Sequence, residues 1–214
     1  MKKVWYVGAI VAAVLIATSV GQRRHHVRPR FDDFPAGLPY ISGREYGQPF
    51  AVNTGADYSL AADRLYAVPI QIHHPHLFTV INMGVQSGPS NGRAAVGIYL
   101  VSPDGLPGDL LVQGNSLLDL EFAVGISTIS QVLAPGWYYL VVNSNDAWTS
   151  VALDAQHARG FFGRSATFRE ATHIRSTYTY DGVLPDPFDR TSLVYLGEVD
   201  GSGVDIPSIG LTAE

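Results

Sequence analysis

The sequence predicts an all-β protein, an antiparallel β-sandwich or jelly roll preceded by one N-terminal apolar helix and an extended arm. Three observations predict it. After Arg64, short runs of β-branched and aromatic residues alternate with Gly, Pro, Asp and Asn clusters about every eight to twelve residues. Only 15% of the 214 residues are charged, while Gly (22), Pro (13), Tyr (11) and Phe (9) are plentiful, a composition of strands and turns. No stretch beyond residue 64 carries the 3.6-residue period of a long amphipathic helix. With 46% hydrophobic residues the chain has room for one sizeable core plus a tail.

Three regions follow: an apolar helix with a basic tail at 1–30, an extended arm or linker at 31–63, and a β-sandwich domain at 64–214. Val4 to Val20 carries no charge and as a helix would be roughly 26 Å long, close to the roughly 30 Å of a hydrocarbon core. Val4, Ile10, Val14, Leu15 and Val20 would meet the apolar phase, with Trp5 and Tyr6 at one interface and Arg23, Arg24, Arg28 and Arg30 at the other. Lys2-Lys3, the apolar run and Ala17-Thr18-Ser19 also satisfy the pattern of a signal peptide, with cleavage removing residues 1–19. The arginines immediately downstream oppose export. The expectation is therefore an uncleaved membrane or assembly anchor, ahead of a cleaved signal and of a helix enclosed in a protein assembly.

Residues 31–63 hold closely spaced Pro and Gly, which exclude long regular elements, but Phe31, Phe34, Tyr40, Tyr46 and Phe50 suit a segment that docks on a neighbour. In the domain, RLYAVPIQI, HLFTVINMGVQ, RAAVGIYLV, DLLVQG, ISTISQVL and GWYYLVVNS read as strands. Simple alternation in HLFTVINMGV places Leu77, Thr79, Ile81 and Met83 on one face and Phe78, Val80 and Asn82 on the other. In SPDGLPG, Asp104-Gly105 and Pro107-Gly108 each suit a turn. THIRSTYTY reads as a strand with Thr172, Ile174, Ser176, Tyr178 and Tyr180 on one face, DGVLPDPFDR as a loop, and IPSIGLTA as a strand that closes the fold by returning to the first. Trp137 and Tyr139 share a face, so either that pair or Tyr138 should enter the core.

Charge and cysteine content narrow the function. Residues 1–30 carry six cations and no acid, leaving eight basic and nineteen acidic residues in the rest, a net charge of −11 against −5 for the whole. An acidic body will not coat nucleic acid or anionic lipid, so any such contact belongs to the basic tail. The absence of cysteine removes disulfides, thiolate metal sites and cysteine nucleophiles.

LYAVPIQI, GIYLVSPDGLPGDLL, ISQVLAPGWYYLVV and YDGVLPDPF before IPSIGL resemble the β-sandwich domains of tailed-phage and related virion structural proteins, of tail-fibre, spike or minor structural type. The resemblance covers roughly residues 64 to 214. It implies a non-enzymatic virion component that serves assembly or host-surface attachment. Its implied partners are other virion proteins and a host-surface glycan, and the expected assembly is a homo-oligomer, a trimer first; the apolar run at 4–20, which departs from the usual attachment segment of such proteins, adds a lipid membrane as an expected partner. An exported or membrane-anchored bacterial carbohydrate-binding module, its body displayed from the inner membrane, is the alternative.

The catalytic look-alikes have plainer readings. Gly88-Pro89-Ser90-Asn91-Gly92 matches G-x-S-x-G, but a nucleophile elbow leads into a helix, whereas RAAVGIYLV after it reads as a strand. His73-His74-Pro75-His76 lacks a third ligand and reads as a surface turn, with a site shared by three copies on an axis as the other possibility. Asp186, Asp189, Asp200 and Asp205 lack the spacing of a calcium loop and read as solvated turns. Arg159, Arg164, Arg169 and Arg175 suit intersubunit ion pairs. No catalytic residue, metal or cofactor is expected.

Overall fold

The computed structural model describes residues 42–46, 52–115, 118–120, 123–154, 173–196 and 205–214. They are all-β. Fourteen strands run in chain order: β1 Glu45–Tyr46, β2 Val52–Leu60, β3 Arg64–Ile72, β4 His76–Ser87, β5 Arg93–Val101, β6 Pro107–Gln113, β7 Leu118–Asp119, β8 Ala123–Leu133, β9 Gly136–Ser144, β10 Trp148–Asp154, β11 His173–Thr177, β12 Val194–Leu196, β13 Asp205–Pro207 and β14 Ile209–Ala213. The expected helix at 4–20 and the basic tail lie outside the described residues. No helix among the described residues is long and apolar enough to cross a membrane.

The strands form two antiparallel sheets of seven. Sheet A has the order β1-β14-β4-β10-β13, with β2 beside β10 and β8 beside β4; sheet B has the order β12-β11-β3-β9-β5-β6, with β7 beside β5. β4 and β10 pair at Val85–Ser150 and then part, and the C-terminal strands fill the opening, β13 along β10 and β14 along β4. Ser208 sits at that fork, donating its N–H to Val151 and accepting from Gly84. Glu45 pairs with Thr212 and Tyr46 with Leu211, so the terminal strand meets β1 in the stretch read as an arm; β3, the strand expected to be first, belongs to the other sheet and does not pair with it. Both β1 and β2 fall inside the stretch read as an arm; β2 lies along β10 from Trp148–Leu60 to Asp154–Val52.

One apolar cluster joins the inward faces of the two sheets in a sandwich-like arrangement. Sheet B supplies Val68, Ile70, Val96, Ile98, Tyr138 and Leu140, and sheet A supplies Phe78, Ile81, Met83, Leu133, Trp148 and Leu211. Simple alternation misplaced Phe78. The β4–β8 register shifts between Phe78 and Val80, so a bulge turns Phe78 to the same side as Ile81 and Met83. In the hairpin tip Ser102–Leu106, Gly105 has φ 83° as expected, but Pro107 and Gly108 begin β6 rather than forming a second turn.

A second cluster covers the outer face of sheet B: Leu65, Ala67, Ala95, Tyr99, Tyr139, Val141 and Ile174 from the strands, with Leu184 and Phe188 from the segment 178–193 that follows β11. Strands β3, β5 and β9 are therefore buried on both faces, which is why their sequences are near-continuous apolar runs. The aromatic alternative at 137–139 resolves into two cores, with Tyr138 between the sheets and Tyr139 under the outer segment. Tyr178 and Tyr180 pack on the same outer cluster as Ile174, although the strand itself ends at Thr177.

The outer segment fits closely. A Cβ at Gly97 would lie 2.6 Å from Leu184 Cδ1 and 2.9 Å from the Val112 carbonyl oxygen. Gly97→Ala should therefore cost about 1–3 kcal/mol in urea unfolding, and Leu184→Ala in the same chain should recover part of the Gly97→Ala increment. Strict additivity of the two changes would show that the segment does not rest on β5.

Candidate functional site

The outer segment, the β5–β6 hairpin tip and sheet B meet in a polar network over an apolar floor. Tyr99 and Tyr139 are register partners on β5 and β9, so their rings rise side by side from the outer face. The Tyr99 hydroxyl donates to the Pro185 carbonyl and the Tyr139 hydroxyl to the Gly105 carbonyl, each at 2.6 Å. One tyrosine thus holds the outer segment and the other the hairpin tip. Burial raises the pKa of both phenols, so both remain neutral donors. Phe188 meets the Tyr99 ring edge-on at 5.5 Å.

Arg190 joins the two loops directly. Its Nη1 donates to Asp104 Oδ2 at 2.8 Å, its Nε to the Pro107 carbonyl at 2.8 Å and its Nη2 to Ser102 Oγ at 2.6 Å, with a further contact from Nη2 to the Pro107 carbonyl. Asp104 is held below the usual carboxylate range, first by the Ser102 hydroxyl, then by the Leu106 amide, with Arg190 adding to both. The two ends of Gln113 bracket the other side of the segment, donating to the Gly182 carbonyl and accepting from the Leu184 amide. A groove of about 580 Å³ lies beside this network, lined by Leu100, Val101, Pro103, Asp109, Phe188 and Arg190 among others. Trp137 (39% exposed) and Tyr195 (44%) belong to the same outer face, two residues from Tyr139 and opposite Ile174 respectively.

The carboxylates singled out in the sequence take structural positions. Asp186 Oδ1 accepts from the Leu110 amide, and Asp189 Oδ1 accepts from the Thr191 amide and hydroxyl. Asp205 pairs in register with Asp154, while Asp200 lies outside the described residues. Arg175 is on β11; Arg159, Arg164 and Arg169 are outside the described residues. His76 stacks edge-on against Phe78 and sits 3.2 Å from the Glu214 carbonyl oxygen, and no group of three metal-ligating side chains converges among the described residues. The G-x-S-x-G motif forms the turn between β4 and β5. Its glycines are needed because Leu120 packs against both, where a side chain on Gly88 or Gly92 would collide with it. Ser90 is exposed on that turn.

Sequence reasoning passed over His173. It lies between the sheets, 0% exposed, with its Nε2 2.6 Å from the Tyr58 hydroxyl and its ring edge-on to Tyr58 at 5.4 Å. Burial, and after it the Arg175 cation, pull its pKa down to about 3. Nothing in HIRST marks this histidine as internal, because its strand neighbours Arg175 and Thr177 on the same alternation are polar.

No protein-family model matches the chain, and no curated protein matches it.

Among the described groups the network is a tie between loops. Arg190→Lys keeps the charge but cannot span Asp104, Ser102 and Pro107 at once. It should lower stability by about 1–2 kcal/mol in thermal or urea unfolding; an unchanged melting curve would mean the loops are held by their apolar contacts alone.

Proposed function

We propose that the chain is a non-enzymatic structural component of a bacteriophage virion. Its body, in the finer classification a β-sandwich or jelly roll, is displayed for assembly or host-surface attachment, and Val4–Val20 fixes it as a helix to membrane or protein shell. The observation that carries this reading is the outward face of β8. Val124 (59% exposed), Ile126 (56%) and Val132 (60%) point away from the core on one strand, and Thr128 and Ser130 complete the row without a charge. Beside it on β4, Asn82 is buried and its side-chain amide donates to Thr212 Oγ1 at 3.1 Å. Large exposed apolar side chains in an uncharged row, on a body of net charge −11, are suited to contact with another subunit. Several such subunits on one particle bind a surface tightly through weak contacts, because each contact after the first is effectively intramolecular.

Light scattering on the full chain tests the assembly. Ile126→Lys should reduce the oligomer to smaller species while changing unfolding by no more than about 0.5 kcal/mol. An unchanged mass would remove this face from the assembly. Antibody labelling of purified particles should detect the chain, and its recovery only from bacterial envelopes would contradict the virion assignment.

A second reading is an exported or membrane-anchored carbohydrate-binding module, favoured by Trp137 and Tyr195 on the outer face of sheet B, where aromatic rings can stack on sugars. Glycan binding lost in Trp137→Ala and kept in Ile126→Lys would support that reading over the first.

A further inference from the structure

We propose that two copies of this chain pair edge to edge through β8, antiparallel about a twofold axis, so that sheet A continues from one copy into the other. This rests on the reading of the β8 row as an assembly contact and adds the geometry of that contact and its occupant, a second copy. Among the described residues β8 has β4 as its one strand partner, which makes it an edge of sheet A. The direction of its backbone is fixed at two points. Opposite Val124, Gly84 turns both its backbone groups to the far side of β4, donating to the Ser208 carbonyl at 3.1 Å and accepting from Ser150 Oγ at 2.8 Å. Gly84 and Val124 are therefore a pair without mutual hydrogen bonds. Further along, the Thr128 carbonyl accepts from the Asn115 amide at 2.9 Å, also away from β4. The register runs without a shift from Val80–Thr128 to Val85–Ala123, so Val124, Ile126 and Thr128 all direct their N–H and C=O groups off the sheet edge.

β6, an edge of sheet B, shows how this fold closes such a strand. The outer segment caps it laterally: the Leu110 amide donates to Asp186 Oδ1 at 2.9 Å, and the Gly108 carbonyl accepts from the Phe188 amide at 2.9 Å. A charged residue, Asp109, stands between those two positions. β8 lacks the usual guards against strand addition, since AVGISTISQVL holds no charge and no proline. Among the described residues its lateral backbone bond is the one at Thr128. Its bulge lies beyond Thr128, where the register with β4 shifts, which leaves 123–128 regular.

The occupant follows from shape and charge. An antiparallel pairing about a twofold axis brings a strand to itself, so one edge is complementary to a second copy of the same edge. Because the Thr128 carbonyl is already engaged, Val124 and Ile126 are the residues placed to pair. Val124 of one copy then lies opposite Ile126 of the other, and the reverse, with Gly125 on the axis and each pair exchanging both backbone bonds. The side chains of those pairs share the outward face, where Val124 is 59% and Ile126 56% exposed, and meet as apolar β-branched neighbours. The body carries a net charge of −11, so copies that approach through acidic surface repel, whereas the uncharged β8 strip brings no like charges together. A pairing this short is weak alone and suits an assembly that repeats it.

The chain has no cysteine, so single introduced cysteines report the register. Full chains carrying Val124→Cys and Ile126→Cys, mixed and oxidised, should form disulfide dimers on the order of ten times faster than either variant alone. Opposed residues lie about 5.5 Å apart between Cα atoms, whereas the diagonal pairs of like variants lie about 7–8 Å apart, beyond disulfide reach. Ile126→Pro removes a lateral N–H and no bond to β4, and should weaken self-association about tenfold in sedimentation while the far-UV spectrum is kept. Equal rates in all three samples, or no disulfide in any, would overturn edge pairing. If Ile126→Lys still lowers the mass in that case, the β8 face remains an assembly contact and only the edge geometry falls. Should Ile126→Pro not fold, the cysteine variants decide alone, since both substitutions lie at exposed positions.

Discussion

Sheet B is apolar on both faces, and much of the molecule's arrangement answers that constraint. β3, β5 and β9 cannot present Leu65, Tyr99, Tyr139 and Val141 to water without losing the burial of a core's worth of side chains. Sheet A covers one face. The other is covered by a segment with no regular secondary structure, so a loop does the work that a third layer of helix or sheet would do. Leu184 and Phe188 are its two deeply placed apolar contacts. Everything polar in the segment has to be accommodated around them, and the tyrosine hydroxyls, Gln113 and Arg190 supply the partners for its backbone and for the hairpin tip.

That division explains why chemically suggestive residues are occupied in structural work. Arg190, Asp104 and Ser102 would resemble an anion or nucleophile site if read one at a time, but together they saturate one another. Asp186 and Asp189 secure backbone amides in the same segment. The exposed large apolar and aromatic side chains include the β8 row on sheet A, and Trp137 and Tyr195 on sheet B. These two surfaces sit on opposite sheets.

Much of the strand framework was legible. The bounds of β3, β5 and β9 coincide with the runs RLYAVPIQI, RAAVGIYLV and GWYYLVVNS, because strands buried on both faces are written as continuous apolar stretches between turn residues. β2, VNTGADYSL, and β10, WTSVALD, were not, since their polar residues carry little intrinsic strand preference and their structure comes from pairing with each other and with β4 and β13. The bulge at Phe78 defeated a strict alternation. In the outer segment, DGVLPDPFDR was legible as a loop, but two isolated apolar residues four apart among prolines and aspartates give no periodic signal of burial. His173 was hidden for a related reason: its burial depends on β2 arriving from the other sheet, a long-range contact that local sequence does not encode.

The most direct test of this account is the contribution of Phe188, the aromatic that closes the outer layer against Tyr99. Urea unfolding of Phe188→Ala in the full chain, with the slope unchanged, should show a loss of about 3–5 kcal/mol, the cost of emptying a site in a packed core. A loss below about 1 kcal/mol, the range of a surface substitution, would mean that the segment merely lies on sheet B and that the sheet's outer face does not depend on it.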